Sequence, residues 1–246
     1  MSLPEIVQPD QWLLARRDLL AREKQLTRLR DELNADRRRL PMVRVTTEYR
    51  FTGPHGEAGL LDLFAGRRQL VVQHFMFDPA WDTGCPGCTA GADDISAGLL
   101  RHLAARDTAF AVISRAPYPK IAEFSALRDW KFDFYSSFDS TFNYDFHVTL
   151  DESVTPVLFN YRDAQELREA DMSWATEAPM EQPGISCFLR EGNDIFHTYS
   201  TYGRGTEEFG GAYHVLDMTA LGRQENWEKP AGRVTNPRPP IADFAD

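Results

Sequence analysis

Apolar residues recur every seven positions near the start of the chain, and charged residues fill most of the positions between them. The recurring residues are Trp12, Leu19, Leu26, Leu33 and Leu40. This spacing predicts one long helix from about Gln11 to Leu40, ended by Pro41. The apolar stripe is narrow, whereas a long two-stranded coiled coil needs a fuller second row. We therefore expect a helix docked on its own domain or on a dimer mate, or else a solvated helix without a partner.

After this helix the spacing becomes typical of strands and shorter helices. Residues from Val43 to Phe51 alternate between apolar and polar, which predicts a strand with one buried face. Gln69 to Phe77 and Thr108 to Ser114 are mostly apolar and predict two strands buried on both faces. Helical spacing follows each of them, over Thr89 to Arg106 and over Pro119 to Trp130. Alternation of this kind predicts a parallel strand-helix-strand unit in an α/β fold.

The second half of the chain predicts fewer regular elements. They are a short strand at Val157–Phe159, a hairpin of Ile185–Arg190 and Asp194–Ser200 around Glu191-Gly192-Asn193, and a closing helix over Thr206–Leu216. From Glu228 onward four prolines are incompatible with regular structure and predict an extended arm. We accordingly divide the chain into a helical extension (1–41), one domain (42–223) and a Pro-rich arm (224–246).

Composition narrows the possible partners and the compartment. The 246 residues carry a formal net charge of −10, so a phosphate backbone would be repelled and nucleic acid is not expected as a partner. No apolar run approaches the roughly 20 residues that span a bilayer. The first ten residues resemble no secretory signal, and we expect a cytoplasmic protein. Three cysteines are too few for a disulfide-stapled scaffold.

The most informative motif is Cys85-Pro86-Gly87-Cys88, which follows a predicted buried strand and opens a predicted helix. Unpaired N–H groups and the helix dipole favour negative charge at that position. The pKa of the Cys85 thiol should therefore lie below its ordinary value of about 8.5. Cys88 faces the same side of the helix and can close a disulfide. A reactive thiolate beside a resolving thiol is the minimum machinery for thiol–disulfide exchange.

Other interpretations of the cysteines remain open. A Cys-x-x-Cys pair is half of a tetrahedral zinc site, although the sequence supplies no second close pair. The two cysteines would also suit a structural role as small buried residues. Cys187, within Ile185 to Leu189, is typical of strand packing rather than of redox chemistry.

Several unusual motifs resemble one known family. They are His74-Phe75-Met76-Phe77, Asp78-Pro79-x-Trp81, Gly84-Cys85-Pro86-x-Cys88, Ser114 to Pro117, Phe142 to Phe146, His197 to Gly205, and Tyr213-His214-x-Leu216-Asp217. These are similar to a bacterial family of predicted dithiol-disulfide oxidoreductases, the domain of unknown function 899. The resemblance implies a thioredoxin-like fold in its extended, peroxiredoxin-like form. Its central mixed sheet would be flanked by helices, with the long N-terminal helix added.

The sequence departs from thioredoxins and peroxiredoxins at the site itself. Thioredoxins usually carry Cys-Gly-Pro-Cys, so the reversed central residues prevent a transfer of redox potential. The nearest candidate for their cis-proline is Pro183. The loop from Pro79 to Cys85 is one residue shorter than the peroxiredoxin loop, which misplaces the hydroxyl of Thr83 against a peroxide. Thr89-Ala90-Gly91 follows where relatives carry an aromatic pair, and should leave more room.

Further candidates surround the cysteines. Pro86 stiffens their loop, and Trp81 belongs to the family motif just before it. Phe142 to His147 and His197 to Tyr202 either pack in the core or form the walls of a pocket at the thiols. Arg115 and Arg204 either lower a thiol pKa, hold a substrate carboxylate, or form surface ion pairs. His74 is either a buried histidine bonded to backbone or a proton acceptor for Cys88.

The sequence therefore predicts a thiol-disulfide oxidoreductase that is cytoplasmic and homodimeric. Cys85 would attack and Cys88 would resolve, with a protein or small-molecule thiol or disulfide as partner. No organic cofactor is expected, since no glycine-rich phosphate loop follows a strand. The alternatives are a thiol peroxidase of peroxiredoxin type and a non-catalytic thioredoxin-fold binding module.

Overall fold

The computed structural model describes residues 3–209, 211–229, 234 and 237. The chain divides into two compact units. One contains the described residues of Met1–Pro41 and Leu216–Pro240, and the other contains those of Met42–Val215. Most of the predicted Pro-rich arm lies outside the described residues.

Helix α1 (Pro9–Arg39) dominates the first unit and confirms the predicted long helix to within two residues at its start. Its first turn closes when the backbone N–H of Gln8 donates to the side chain of Gln11 at 3.2 Å. Three arginines occupy the last turn, where positive charge complements the helix dipole. None of the 31 residues of α1 is buried. The apolar stripe of this helix is therefore exposed.

The second unit is built on an eight-stranded sheet. Its strands are β1 (Val43–Arg44), β2 (Arg50–Gly53), β3 (Gly56–Gly59), β4 (Gln69–His74), β5 (Thr108–Ser114), β6 (Phe134–Ser136), β11 (Gly184–Glu191) and β12 (Asp194–Tyr202). Outside it lie two small ladders formed by β7 (Thr149–Leu150) with β10 (Met180–Glu181) and by β8 (Leu158–Phe159) with β9 (Arg162–Asp163).

Helices connect and flank these strands. They are α2 (Pro86–Asp93), α3 (Ala97–Ala104), α4 (Tyr118–Leu127), α5 (Phe142–Asp145), α6 (Ala164–Glu169), α7 (Trp174–Glu177) and α8 (Gly211–Leu216). Two 3₁₀ helices cover Asp62–Phe64 and Gly203–Phe209.

The sheet order is β1-β12-β11-β4-β5-β6-β2-β3. Strand β4 is central and pairs in parallel with β5, which in turn pairs in parallel with β6. On its other side β4 pairs antiparallel with β11, and β11 forms the predicted hairpin with β12. The fold is the predicted thioredoxin-like one, with a central mixed sheet, flanking helices and an added long N-terminal helix. The carboxyl end of β4 leads into the cysteine loop.

Two predicted elements are divided in the structure. The alternating stretch from Val43 to Phe51 forms β1 on one edge of the sheet and β2 near the other. Alternation identifies which side chains are buried, but it does not identify the neighbouring strand. The helix predicted over Thr89 to Arg106 is likewise two helices. Ser96 begins the second by accepting the N–H of Leu99 at 3.1 Å, as serine favours at an N-cap.

The end of the second unit also differs from prediction. A single helix was expected over Thr206 to Leu216, but a 3₁₀ helix (Gly203–Phe209) is followed by the short helix α8. Five described residues of this region line the candidate site: Gly203, Arg204, Thr206, Glu207 and Tyr213.

Two apolar clusters lie on the two faces of the central strands. Alternate residues of β4, Leu70 and Val72, pack in one cluster with Phe142 and Phe188. The other contains Phe75, Val112 and Phe134 together with Cys88 and Ala92 of α2. Cys88 is therefore part of the packing between α2 and the sheet.

Candidate redox site

The cysteine pair lies at the start of helix α2, which follows the central strand β4 along the chain. Cys85 is the N-cap of α2, and Pro86 occupies its first position, where no backbone N–H is needed. The N–H of Cys85 donates to the carbonyl of Met76 at 2.9 Å, so the loop returns to the end of β4. The hydroxyl of Thr89 donates to the Cys85 carbonyl at 2.9 Å and reinforces the first turn.

Close packing before the pair requires a glycine. A Cβ on Gly84 would lie 2.4 and 2.7 Å from ring atoms of Phe75, which is 1% exposed. On the outer side of the loop, Lys120 donates from Nζ to the carbonyls of Pro79 (2.9 Å) and Trp81 (2.6 Å). The loop that presents Cys85 is therefore fixed from both sides.

The charge environment of Cys85 favours its thiolate. The largest effect is a hydrogen bond from the Cys88 thiol, and the backbone N–H groups of Cys88 and Gly87 also donate to the sulfur. Burial opposes them, yet together they lower the pKa of Cys85 to about 6. Donors aimed at a sulfur at a helix N-terminus produce this direction of shift. Cys85 is half-buried and accessible from the neighbouring cavity.

Cys88 has the opposite character. Its pKa is raised well above the ordinary value by its hydrogen bond to Cys85, by burial and by the charge of Cys85, while the N–H of Met76 partly offsets this. Its side chain is buried. At neutral pH Cys85 is therefore the thiolate and Cys88 the thiol, and both cysteines are unpaired in the reduced state.

His74 is buried at the end of β4. Its Nε2 lies 2.7 Å from the Ser186 hydroxyl, whereas its Nδ1 has no hydrogen-bond partner among the described residues. The ring stacks near Phe142 and Phe146, with centroids 5.6 and 6.0 Å away. Burial, and to a smaller extent His197, lowers the pKa of His74 to about 3, so the imidazole is neutral. From the sequence, a hydrogen bond to backbone was one alternative for His74, but the partner is a side-chain hydroxyl.

A cavity of about 340 Å³ lies against the cysteine pair. Four segments line it: the end of β4 with Met76, the start of α2 from Cys85 to Gly91, Pro183 to Ile185, and residues between Gly203 and Tyr213. The lining is mainly apolar. Of the residues proposed from sequence, the cavity brings together Cys85, Cys88, His74, Pro183 and Arg204.

Pro183 and Arg204 occupy different parts of this cavity wall. Pro183 immediately precedes β11, and Gly184 after it pairs with His74 in the sheet register. Arg204 forms a two-contact ion pair with Glu207, at 2.9 and 3.2 Å. The guanidinium charge at the cavity is therefore balanced by a carboxylate in the same turn.

The other proposed residues lie outside the cavity. Thr83 and Trp81 are exposed in the loop before Cys85, and Pro86 is exposed at the start of α2. Arg115 donates to the hydroxyl of Tyr144 at 2.8 Å and lies 3.5 Å from the carboxylate of Glu181. Its charge is therefore engaged in a separate, partly buried network.

The two aromatic stretches are used mainly for packing. Phe142 and Phe146 belong to the core cluster that contains Leu70 and Val72. The hydroxyl of Tyr202 donates to the carbonyl of Phe146 at 3.0 Å. None of the described residues in Phe142 to His147 or His197 to Tyr202 lines the cysteine cavity.

Sequence reasoning missed Gln73, Glu207 and Tyr213, which also line the cavity. It also missed Glu181, which is 2% exposed and receives the Thr149 hydroxyl at 2.9 and 3.0 Å. Burial raises the pKa of Glu181 to about 7, against the opposing attraction of Arg115. The available sequence signal for these residues was Gln73 itself, a polar residue inside a mostly apolar predicted strand.

Other parts of the structure bear on the alternative interpretations of the cysteines. Cys187 pairs with Val71 and Tyr199 inside the sheet and does not line the cysteine cavity. Among the described residues no group of three or more His, Cys, Asp or Glu side chains is placed to hold a metal ion. A larger cavity of about 510 Å³, lined by residues of Val45 to Asp62 and by Asn193 to Ile195, contains no cysteine among its described residues.

The fold and this site define a thioredoxin-like chain with a cysteine pair at the N-terminus of a helix. Residues 1–237 match the family described as Bacterial protein of unknown function (DUF899), and the chain belongs to that family. No curated protein matches it. None of the helices in the described part of the chain has the length and apolar character that crossing a membrane requires.

Solved structures of peroxiredoxins resemble the chain at low identity. Peroxiredoxin Q of Xanthomonas campestris (structure F4) is 15% identical, with 74% of this chain and 98% of that one covered and a TM-score of 0.49. Peroxidoxin BcpB from Mycobacterium tuberculosis is 15% identical, with coverage of 72% and 97% and a TM-score of 0.43. Likenesses at this level say nothing about the reaction.

Proposed function

We propose that this chain is a thiol-disulfide oxidoreductase in which Cys85 is the attacking thiolate and Cys88 the resolving thiol. One observation carries the proposal: the Cys88 thiol and two backbone N–H groups converge on the Cys85 sulfur and lower its pKa to about 6. A thiolate is the nucleophile in exchange, and its optimum pKa lies near the ambient pH.

The reaction follows from the contrast between the two thiols. The Cys85 thiolate attacks one sulfur of a disulfide, the substrate S–S bond breaks, and one thiolate leaves with the first half of the substrate. The Cys88 thiol then loses its proton and attacks the Cys85 sulfur of the mixed disulfide, which releases the second thiolate. The substrate gains two electrons, and the enzyme retains a Cys85–Cys88 disulfide.

Exposure supports the proposed order of the two cysteines. Cys85 is half-buried and borders the cavity, whereas Cys88 is buried. An incoming disulfide therefore meets Cys85 first. Once a mixed disulfide has formed, the thiolate charge on Cys85 is gone, and this removes one of the causes that raise the pKa of Cys88.

Dithiothreitol-coupled reduction of insulin tests the proposal. Cys85→Ser should abolish catalysed reduction, while Cys88→Ser should trap a mixed disulfide that mass spectrometry detects. Cys187→Ser is the matched control, because Cys187 lies in the sheet away from the cavity. Equal rates for the wild type and Cys85→Ser, on insulin and on small disulfides, would reject exchange chemistry and favour a binding module.

Peroxide consumption separates the exchange reaction from a thiol peroxidase. Thr83 is exposed and does not line the cavity, which weakens the case for a threonine hydroxyl that holds peroxide beside Cys85. We therefore expect hydrogen peroxide to be consumed more slowly than disulfides are reduced. Faster peroxide turnover that disappears in Cys85→Ser would assign the peroxidase reaction instead.

The proposal includes a cytoplasmic location, where thiols are kept reduced, and a thiol or disulfide as partner. The potential of the Cys85–Cys88 couple gives the direction of electron flow. A value near roughly −270 mV assigns a reductant, and one near roughly −120 mV assigns an oxidant.

We also propose a homodimer formed through α1. Its support is the exposed apolar stripe, in which Trp12 and Leu26 are each 59% exposed. Leu26→Glu should shift the sedimenting species from dimer to monomer. Gln25→Glu adds the same side chain one position away and should leave the dimer intact. A monomeric wild-type protein at micromolar concentration would exclude this assembly.

A further inference from the structure

The cavity beside the cysteines has the dimensions of a small-molecule site. Its volume of about 340 Å³ falls within the range of roughly 300–1,000 Å³ typical of ligand pockets. Its walls come from β4, α2, the start of β11 and five residues further on, Gly203, Arg204, Thr206, Glu207 and Tyr213. Cys85 therefore borders a recess with walls from several elements.

Three of the glycines that line the cavity, Gly87, Gly91 and Gly203, have space where a side chain would be. Gly184 also lines it, but a Cβ there would lie 3.0 Å from the Tyr202 side chain. A Cβ on Gly91 would meet only the Gln73 side-chain nitrogen, at an ordinary 3.8 Å. The space beside α2 is thus left open by the absence of a side chain, and a larger residue at Gly91 would occupy it.

Two buried polar atoms belong to residues that line this space. The side-chain oxygen of Gln73 and Nδ1 of His74 have no hydrogen-bond partner among the described residues. Gln73 is 7% exposed and His74 is 1% exposed. Leaving a buried polar group unpaired costs free energy. The nitrogen of the same Gln73 amide lies 3.8 Å from the position of a Cβ on Gly91, and a ligand hydroxyl on that side of the cavity can accept its N–H.

Two of the charged side chains at the cavity neutralise each other: Arg204 is held by both oxygens of Glu207, and both residues line the cavity. The Cys85 thiolate adds one negative charge, which disfavours an anionic substrate. Because the rest of the lining is mainly apolar, a charged substrate group would lose hydration there, whereas a neutral ligand would not.

We propose that this cavity binds a small, uncharged organic disulfide with an apolar body and a hydroxyl group. The inference rests on the proposed function and names the substrate class of the same site. The Cys85 thiolate cleaves the bound disulfide, and Cys88 releases the second half as described above. Two thiols leave, each having taken up one proton, and the enzyme disulfide is reduced again by an external dithiol.

Matched probes test the preference for a neutral disulfide with a hydroxyl group. Bis(2-hydroxyethyl) disulfide is neutral and carries hydroxyl groups, diethyl disulfide lacks them, dithiodiglycolate is anionic and cystamine is cationic. After subtraction of the uncatalysed exchange with dithiothreitol, kcat/KM should be at least tenfold higher for the hydroxyethyl compound than for either charged one. Gln73→Met removes the amide and should abolish the preference over diethyl disulfide.

Filling the cavity tests its location. Gly91→Leu should lower kcat/KM for bis(2-hydroxyethyl) disulfide, relative to that for insulin, by at least tenfold. The smaller change Gly91→Ala should lower the same ratio less. Thermal unfolding shows whether each variant is folded. Gly98→Leu in α3 is the control, because its Cβ would meet only the Ser96 hydroxyl oxygen at 3.5 Å and it does not line the cavity.

The outcomes separate this inference from the proposed function. If insulin reduction depends on Cys85 but the ratio does not change in Gly91→Leu, the small-molecule site is wrong and the exchange chemistry stands. Equal or higher kcat/KM for a charged disulfide overturns the substrate class. The proposed function itself is rejected if the wild type catalyses none of these reactions, or if their rates do not depend on Cys85.

Discussion

Nε2 of the buried His74 lies 2.7 Å from the hydroxyl of Ser186, on the strand next to it. The hydroxyl of Ser186 lies 2.7 Å from that of Ser200, which lies 2.7 Å from Nε2 of His197. The three hydrogen bonds run across β4, β11 and β12 in sequence. A neutral imidazole at the end of the central strand is thus positioned by hydroxyls from the hairpin.

Removing the Ser186 hydroxyl should destabilise the protein. Ser186→Ala leaves Nε2 of a histidine that is 1% exposed without its partner, and an unpaired buried group costs about 1–3 kcal/mol. Urea unfolding measures the change. Ser153→Ala is the control, because the Ser153 hydroxyl bonds to Asp151 at an exposed site and its loss should stay within about 0.5 kcal/mol. Equal effects would show that the hydroxyl does not support His74.

The pKa of Cys85 should depend on the hydrogen bond from Cys88. In a Cys187→Ser background, Cys88→Ala removes that donor, which is the largest cause of the lowered pKa. The pKa should rise from about 6 by about one pH unit or more. The pH dependence of iodoacetamide alkylation measures it. Cys88→Ser retains a hydroxyl donor and should keep a lower pKa than the alanine variant; the same pKa in both would contradict the assignment.

Glu181 should make stability depend on pH. Its folded pKa of about 7 is raised above the unfolded value, so its protonated form favours the folded state. The contribution is fully present below about pH 4.3 and is lost as the pH rises through about 7. Glu181→Gln should remove this dependence, a difference on the order of 3 kcal/mol between these limits.

Urea unfolding at a series of pH values tests this expectation for Glu181. The exposed Glu152, changed to Gln, controls for the removal of one negative charge. Wild-type and Glu181→Gln stabilities that run parallel from pH 4 to pH 8 would mean that Glu181 does not retain its proton in the folded state.

Gly84→Ala should weaken both folding and the presentation of Cys85. The new Cβ would lie 2.4 Å from the Phe75 ring, which packs against Trp130 and Phe134, so the ring or the loop must shift. Such overpacking costs about 1–3 kcal/mol. Gly98→Ala is the control and should be neutral or stabilising by up to about 1 kcal/mol, since a helical glycine is replaced without a clash. Urea unfolding of the two variants compares them directly.

Local patterns predict the centre of the sheet well. Strand β5 has the predicted bounds, and β4 and the hairpin of β11 and β12 differ from prediction only at their ends. Continuous apolar runs and the turn at Gly192 contain this information. The break at Ser96 and the separation of β1 from β2 depend on tertiary neighbours, and apolar spacing does not encode them.

The candidate site, like the fold, was predicted only where local sequence patterns contain the information. The spacing of Cys85 and Cys88, together with their place before a helix, predicts a lowered pKa for the first cysteine. Tyr213 and Glu207 come to the cavity through the end of the hairpin, more than a hundred residues further along the chain. Their place at the cavity depends on how that part of the chain folds back, and the family motif that begins at Tyr213 did not indicate it. Glu181 was missed for the same reason.

The backbone of Met76 contacts both members of the pair: its carbonyl accepts the N–H of Cys85, and its own N–H faces the sulfur of Cys88. A change in the oxidation state of either cysteine therefore alters the electronic surroundings of the backbone of a single residue. The amide resonance of an isotopically labelled Met76 would act as an internal gauge of how much of the protein is oxidised, without any attached dye.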